Sequence, residues 1–170
     1  MILLGLGSNL SSSFGDRFKN IDLAISGLNG YGIHVKKKSS YYESLSYPNK
    51  DNPKFINIIA EVETNLQLVD LASVLIFIEQ TLERNRGKKN DPRTCDIDII
   101  DYNNQIINFK YKDLDFTVPH KKLIYRNFVL FPLQEIYPDW KHPKTKELIN
   151  LLIENLSKED KNSILKIKKS

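Results

Sequence analysis

The sequence predicts an α+β fold: a ferredoxin-like β-α-β-β-α-β core on a mainly antiparallel sheet, followed by an extra hairpin and C-terminal helices. Three observations predict it. Several apolar runs of strand length are closed by Gly, Pro or Asn. Two apolar stripes at spacings of three and four lie between them. Along the chain these segments come in the order strand, helix, strand, strand, helix, strand.

Met1–Gly7 is an apolar run ended by glycine and reads as a buried strand. Phe14, Phe18, Ile21, Ile25 and Leu28 mark one stripe of a helix that closes near Gly30 and Gly32. Ile33–Tyr42 is strand-like, with Ile33 and Val35 alternating and β-favouring Tyr41 and Tyr42 at its end. Ser44–Lys54 is polar, contains Pro48 and Pro53, and reads as a loop. Phe55–Glu63 has neither Gly nor Pro and reads as a strong strand. Leu68, Leu71, Leu75, Ile78 and Leu82 mark a second helix from about Gln67 to Arg86, followed by a polar loop over Gly87–Pro92. Cys95–Tyr102 is the next strand, and Asn103-Asn104 suits a tight turn into Gln105–Phe109. A short strand ends at Val118, before Pro119. Thr145 is expected to open the last helix, with Leu148, Leu151, Leu152 and Leu156 inward. Residues 1–157 are thus read as a single domain, and 158–170 as a charged tail expected to fray.

The 170 residues leave room for one well-buried domain. Basic residues number 25 against 21 acidic, a net charge of +4 that suits an anionic partner without naming one. Arg is scarce beside Lys, yet four of the five arginines, Arg84, Arg86, Arg93 and Arg126, fall in one stretch of chain. The planar guanidinium fork matches phosphate oxygens better than an ammonium does, although chance clustering also accounts for the pattern. The single Cys95 excludes an internal disulfide framework and fits a reducing compartment. No apolar run approaches the roughly 20 residues of a membrane span, and the short apolar start lacks the pattern of a secretory signal. A cytoplasmic protein without a membrane partner is the expectation from composition.

The sharpest chemical feature is Asp96 and Asp98 within Cys95-Asp96-Ile97-Asp98-Ile99. Alternation along a strand puts the two carboxylates on one face and Ile97 and Ile99 on the other. Paired carboxylates raise each other's pKa unless a cation lies between them, and Mg²⁺ with its preference for oxygen ligands suits that role. Two ions so held form a clamp for phosphoryl transfer. A solvated strand face bearing two ordinary acids is the plain alternative. Helical spacing places Glu79, Glu83 and Arg86 on one face, a surface ion-pair ladder or a flank of the site. Arg84, Arg86, Lys88, Lys89 and Arg93 surround one polar loop, and such a cluster beside the acids suits a metal-bound polyphosphate.

Other candidates stay open on sequence grounds. His120 either donates to a phosphate or caps a turn. Phe55 and Phe128 either sandwich a flat heterocycle or belong to the core. Asn57, inside an apolar strand, either reads the edge of a heterocycle or makes a structural hydrogen bond. Gly5-Leu6-Gly7-Ser8-Asn9 lacks the features of a P-loop or dinucleotide fingerprint and reads as a tight strand-to-helix connection. Cys95 alternates away from the acids and reads as core.

Taken together, the segments resemble the 6-hydroxymethyl-7,8-dihydropterin pyrophosphokinase family. The resemblance runs from about Ile2 to Ile136. It rests on Gly-Leu-Gly-Ser-Asn-Leu, on Phe55-Ile56-Asn57, on Glu79 followed by Arg84 and Arg86, on Pro92-Arg93-Thr94-Cys95-Asp96-Ile97-Asp98, and on Val118-Pro119-His120 followed by Arg126-Asn127-Phe128. It implies transfer of the ATP diphosphate to a dihydropterin hydroxymethyl group with release of AMP. By that resemblance Asp96 and Asp98 hold two Mg²⁺ ions. Glu79, Arg84, Arg86, Arg93, His120 and Arg126 serve ATP, with Arg84 and Arg93 also counted as catalytic. Ser44, Leu45, Tyr47, Phe55, Asn57 and Phe128 serve the pterin. The resemblance also implies a monomer acting on small molecules and not on nucleic acid. Lys89-Asn90-Asp91 stands where the family usually carries Arg-Trp-Gly. Two other classes are weighed against this one: another Mg²⁺-dependent nucleotide-using transferase, and a nucleic-acid-binding ferredoxin-like module. The second would display aromatic and basic residues on its sheet, where this chain would place two carboxylates.

Overall fold

The computed structural model describes residues 1–85 and 90–169. The core runs β1 (Ile2–Ser8), α1 (Arg17–Gly30), β2 (His34–Lys38), β3 (Tyr41–Ser44), β4 (Phe55–Glu63), α2 (Leu68–Thr81) and β5 (Asp96–Tyr102). The elements β6 (Ile107–Tyr111), β7 (Leu114–Val118), α3 (Asn127–Ile136), α4 (Ile149–Glu154), α5 (Lys158–Asn162) and β8 (Ile164–Ile167) follow. The main sheet has the order β5-β1-β4-β3-β8, with β2 also on β4, and its pairings are antiparallel. This is the ferredoxin-like arrangement that the element order predicts.

Alternation along β1 and β4 divides the molecule into layers. Ile2, Leu4 and Leu6 of β1, with Ile56, Ile58, Ala60 and Val62 of β4, pack against α1 and α2. Leu3, Ile59 and Ile100 point the other way, onto α3, α4 and Trp140. Burying each such Leu or Ile side chain contributes roughly 1.5–3 kcal/mol. The second layer covers only part of its sheet face. The rest, where β1 contributes Gly5 and Gly7 in place of larger side chains, stays open and carries the site.

The structure corrects several sequence expectations. The strand read as Ile33–Tyr42 is two strands, because Ser39 interrupts it. Ser39 N donates to Ile59 O at 2.9 Å, while its Oγ accepts from Ile59 N at 3.0 Å. A side chain thus stands in for a missing ladder acceptor, and β2 and β3 follow β4 on either side of the break. The first helix starts at Arg17, behind an Asp16 cap that accepts from Lys19 N at 2.8 Å, and leaves Phe14 outside and exposed. The second helix ends at Thr81 rather than Arg86, because Glu83 takes a left-handed φ of 64°. Glu83 therefore leaves the face expected to hold it beside Glu79, and its carboxylate accepts from Ser13 N at 2.9 Å.

Asn103-Asn104 makes the expected tight turn, both residues at left-handed φ (54° and 56°) with Gln105 N donating to Tyr102 O at 3.0 Å, but the hairpin is β6–β7, a separate two-stranded sheet. The last predicted helix begins at Ile149, not Thr145. Ile149, Leu152 and Leu156 are buried, whereas Leu148 and Leu151 face solvent. The tail expected to fray instead supplies α5, capped by Ser157, and β8, which pairs with β3. Lys141–Leu148 forms only an isolated bridge. Among the described residues, no helix is long and apolar enough to cross a membrane.

Candidate active site

Strand register builds the floor of the site. On β1, Gly5 lies opposite Asp98 and Ile59, and Gly7 opposite Asp96 and Asn57. Both acids therefore stand on the open face, as their spacing predicts, while Ile97 and Ile99 are buried on the other. Gly5 and Gly7 lie inside β1 and line the cavity, so the expected strand-to-helix connection at this position is replaced by a pocket floor. A Cβ at Gly7 would stand 3.2 Å from Asn57 Oδ1 and 3.5 Å from Phe55 Cδ1. Glycine there lets two predicted site residues approach the strand. Cys95 is buried, and burial pushes its thiol pKa up, which suits core rather than nucleophile.

The cavity above this floor measures about 670 Å³. One end is cationic. Arg93 Nη1 lies 3.1 Å from Asp96 Oδ2, Arg84 Nη1 2.6 Å from Asp96 Oδ1, and Arg126 Nη1 2.8 Å from Asp98 Oδ2. Burial pushes the Asp98 carboxyl upward, but Arg126, His120 and Arg84 outweigh it and hold its pKa below the ordinary carboxylate value. Burial lowers the His120 pKa, leaving a neutral imidazole at pH 7. His120 Nδ1 accepts from Lys122 N at 3.1 Å, so its Nε2 carries the proton. His120 thus caps a turn and still offers a donor.

Glu79 is buried at the end of α2. Its Oε1 accepts from Ile97 N at 2.7 Å and pairs with Arg84. It reaches across from helix to strand and fixes both the β5 backbone between the two acids and the guanidinium beside Asp96. Arg86 lies outside the described residues.

The other end of the cavity is built from Ser44, Leu45, Tyr47, Phe55, Asn57 and Phe128, all of which line it. Asn57 Nδ2 donates to Ser44 Oγ at 3.0 Å and to Tyr42 O at 3.3 Å. With both amide hydrogens engaged, Asn57 presents Oδ1 as an acceptor, and Ser44 keeps its hydroxyl hydrogen to donate. The two rings also touch the cationic end: Arg93 lies 5.6 Å from the Phe55 centroid and Arg126 5.3 Å from that of Phe128.

Sequence reasoning missed Asn9, which is buried and joins the two ends. Its Nδ2 donates to Ser46 Oγ at 3.2 Å and Pro53 O at 3.0 Å, while its Oδ1 accepts from Arg93 N at 2.7 Å. The one available signal was a polar amide just after an apolar strand. Among the described residues, no group of three or more His, Cys, Asp or Glu is poised to hold a metal. Asp96 and Asp98 alone could serve, which suits an ion that completes its shell with water and phosphate oxygens.

Residues 3–138 match the family model for 7,8-dihydro-6-hydroxymethylpterin-pyrophosphokinase. The 2-amino-4-hydroxy-6-hydroxymethyldihydropteridine pyrophosphokinase of Synechocystis is 36% identical over 91% of this chain and 75% of its own length. The Haemophilus influenzae protein of the same name is 33% identical over 88% of this chain and 89% of its own. The folic acid synthesis protein fol1 of Pneumocystis carinii is 36% identical over 96% of this chain, which spans only 21% of that longer protein. Among solved structures, a Plasmodium falciparum HPPK-DHPS variant with pteroate superposes with a TM-score of 0.73 at 14% identity, over 97% of this chain and 46% of the other. At that identity the likeness concerns the fold.

Proposed function

The chain belongs to the 7,8-dihydro-6-hydroxymethylpterin-pyrophosphokinase family, and from that premise we propose that it transfers the diphosphate of ATP to the hydroxymethyl oxygen of 6-hydroxymethyl-7,8-dihydropterin, releasing AMP, in folate biosynthesis. The observation that carries this reading is one cavity with an Asp-Arg end and an amide-aromatic end on a glycine floor.

Asp96 and Asp98 would hold Mg²⁺, which supplies charge neutralisation for the phosphates and a lowered pKa for the attacking hydroxyl. The donor set fits: two carboxylates on one face, with Asp98 favoured in its ionised form. Arg84, Arg93 and Arg126 neutralise the acids in the ligand-free protein. ATP phosphates would compete for these guanidinium forks and so leave the Asp96 and Asp98 carboxylates to the metal. Glu79 remains beneath Arg84 as its anchor, and neutral His120 offers Nε2–H to a phosphate oxygen. Positioning and electrostatics supply the catalysis, with no covalent step on the protein.

At the other end, Asn57 Oδ1 accepts from the donor edge of the pterin and Ser44 donates to its acceptor, while Phe55 and Phe128 flank the ring. Arg93 and Arg126 rest over those two rings, so drawing them onto phosphates would also open the aromatic faces. We further propose that the protein works as a cytoplasmic monomer on small molecules, a setting that its buried lone thiol suits. Incubation with the pterin, ATP and Mg²⁺ tests the assignment. Release of AMP with a diphosphorylated pterin is expected, and ADP as the sole nucleotide product would refute it.

A further inference from the structure

The family match stops at residue 138, yet the chain beyond it returns to the cavity. Ser157, Glu159, Asp160 and Ser163 line the same space as Asn57 and Phe128. Three sets of contacts fasten this segment there. First, β8 lies along β3, with Ile164 opposite Ser44 and Leu165 opposite Glu43. Second, Asn127 Nδ2 donates to Asp160 O at 2.7 Å and Ser163 Oγ at 3.0 Å. Third, Lys50, from the loop between β3 and β4, forms an ion pair with Glu159 of α5. Outlying ties add to these: Lys166 reaches Glu135 at 3.3 Å, and Lys169 pairs with Asp22.

We propose that residues 157–169 are a strap closing the pterin end of the cavity, and that the Lys50–Glu159 pair holds the 44–54 loop against it and so helps set pterin affinity. The inference rests on the functional reading above for the identity of the ligand. Its physics is local. The 44–54 loop contributes Ser44, Leu45 and Tyr47 to the cavity; its ends are anchored by Asn57 on Ser44 and by Arg17 and Glu43 on Lys54, and its middle by Asn9, the Ser46 Oγ bond to Pro53 O and the Lys50–Glu159 pair. A loop already held in its working position costs less to order when the ligand binds. Lys50 and Glu159 are both largely exposed, so the pair is weak by itself. The expected effect is accordingly modest, and it is confined to the ligand that the loop touches. Among the described residues, the arginines of the phosphate end pair instead with Glu79, Asp96 and Asp98.

The test compares the full-length wild type with Lys50→Glu, Glu159→Lys and the double exchange. Each single variant is expected to raise the KM for the pterin by roughly two- to five-fold, with the KM for ATP and Tm unchanged. Each is also expected to accelerate backbone hydrogen exchange at residues 49–52. The double exchange is expected to restore both readouts. Unchanged exchange in the single variants, an equal loss for ATP and pterin, or no restoration in the double variant would overturn the strap. Hydrogen exchange in the ligand-free protein decides the latch even if the wild type yields no AMP, an outcome that would sink the functional assignment separately.

Discussion

Replacing Gly7 by Ala separates the proposed site from the fold that carries it. The added Cβ would sit 3.2 Å from Asn57 Oδ1 and 3.5 Å from Phe55 Cδ1, against 3.9 Å from the Ile56 carbonyl. The Asn57 amide must therefore shift by a few tenths of an ångström. It is tethered on its other side by the bonds to Ser44 Oγ and Tyr42 O, so it turns rather than retreats. Misaiming one hydrogen bond to the ligand costs about 1 kcal/mol, a factor of about five in affinity. A methyl group raised from the pocket floor adds to that, giving an expected five- to thirtyfold weakening of pterin binding, order of magnitude. Stability should move the other way or not at all. Gly7 has no left-handed φ, and glycine inside a strand costs roughly 0.5–1 kcal/mol relative to alanine. Calorimetric titration of the pterin in the presence of a non-hydrolysable ATP analogue, beside titration of the nucleotide alone and a thermal melt, reads all three quantities. An unchanged pterin Kd, or an equal loss for nucleotide and pterin, would refute the assignment of Asn57 and the glycine floor.

Four further outcomes are expected. Asp96→Ala and Asp98→Ala should each lower turnover by at least roughly a hundredfold with the fold retained, as circular dichroism would check; near-wild-type rates would reject the metal assignment. Glu79→Ala should lower Tm, because it strands the buried Ile97 N–H at a cost of about 1–3 kcal/mol and leaves Arg84 with Asp96 but without its second carboxylate; a melt unchanged from wild type would contradict the bridging role. Saturating ATP analogue should tighten pterin binding, since its phosphates would compete for Arg93 and Arg126, which lie over Phe55 and Phe128; a nucleotide-independent Kd would argue against the exchange of partners.

The remaining outcome concerns acid stability. Partial burial raises the Glu135 pKa, but hydrogen bonds from Ser40, Tyr42 and Lys166 outweigh it, and the net shift is downward. A carboxyl depressed in the folded state stabilises fully above its unfolded value and loses that contribution as pH falls through the folded one. Glu135→Gln should therefore lower stability near neutrality and flatten the acid limb of a Tm–pH profile; parallel profiles would contradict it.

Periodicity carried much of the architecture. The alternation of Asp96 and Asp98 against Ile97 and Ile99 needed only strand geometry, and the structure bears it out. The limits of the sequence reading fall where a distant partner intervenes. Ile33–Tyr42 has the pattern of one strand, and only the Ser39 bonds to Ile59 break it. The apolar stripe of α2 continues to Leu82, but Glu83 is turned into a left-handed conformation and tied to Ser13. The tail looks too charged to order, yet β3 offers it an open edge.

The sequence by itself determined the β-α-β-β-α-β order of the core, the shared face of the two acids and the chemical types gathered near them, because those follow from repeats of two and 3.6 residues and from the donor set of each side chain. Only the tertiary structure decided that Glu79 would sit under Ile97 and Arg84, that Asn9 would link Arg93 to the 46–53 loop, and that Glu159 and Asp160 of α5 would line the cavity. Each of these joins residues far apart along the chain. No local pattern encodes such contacts, since they arise when buried polar groups must find partners as the layers close.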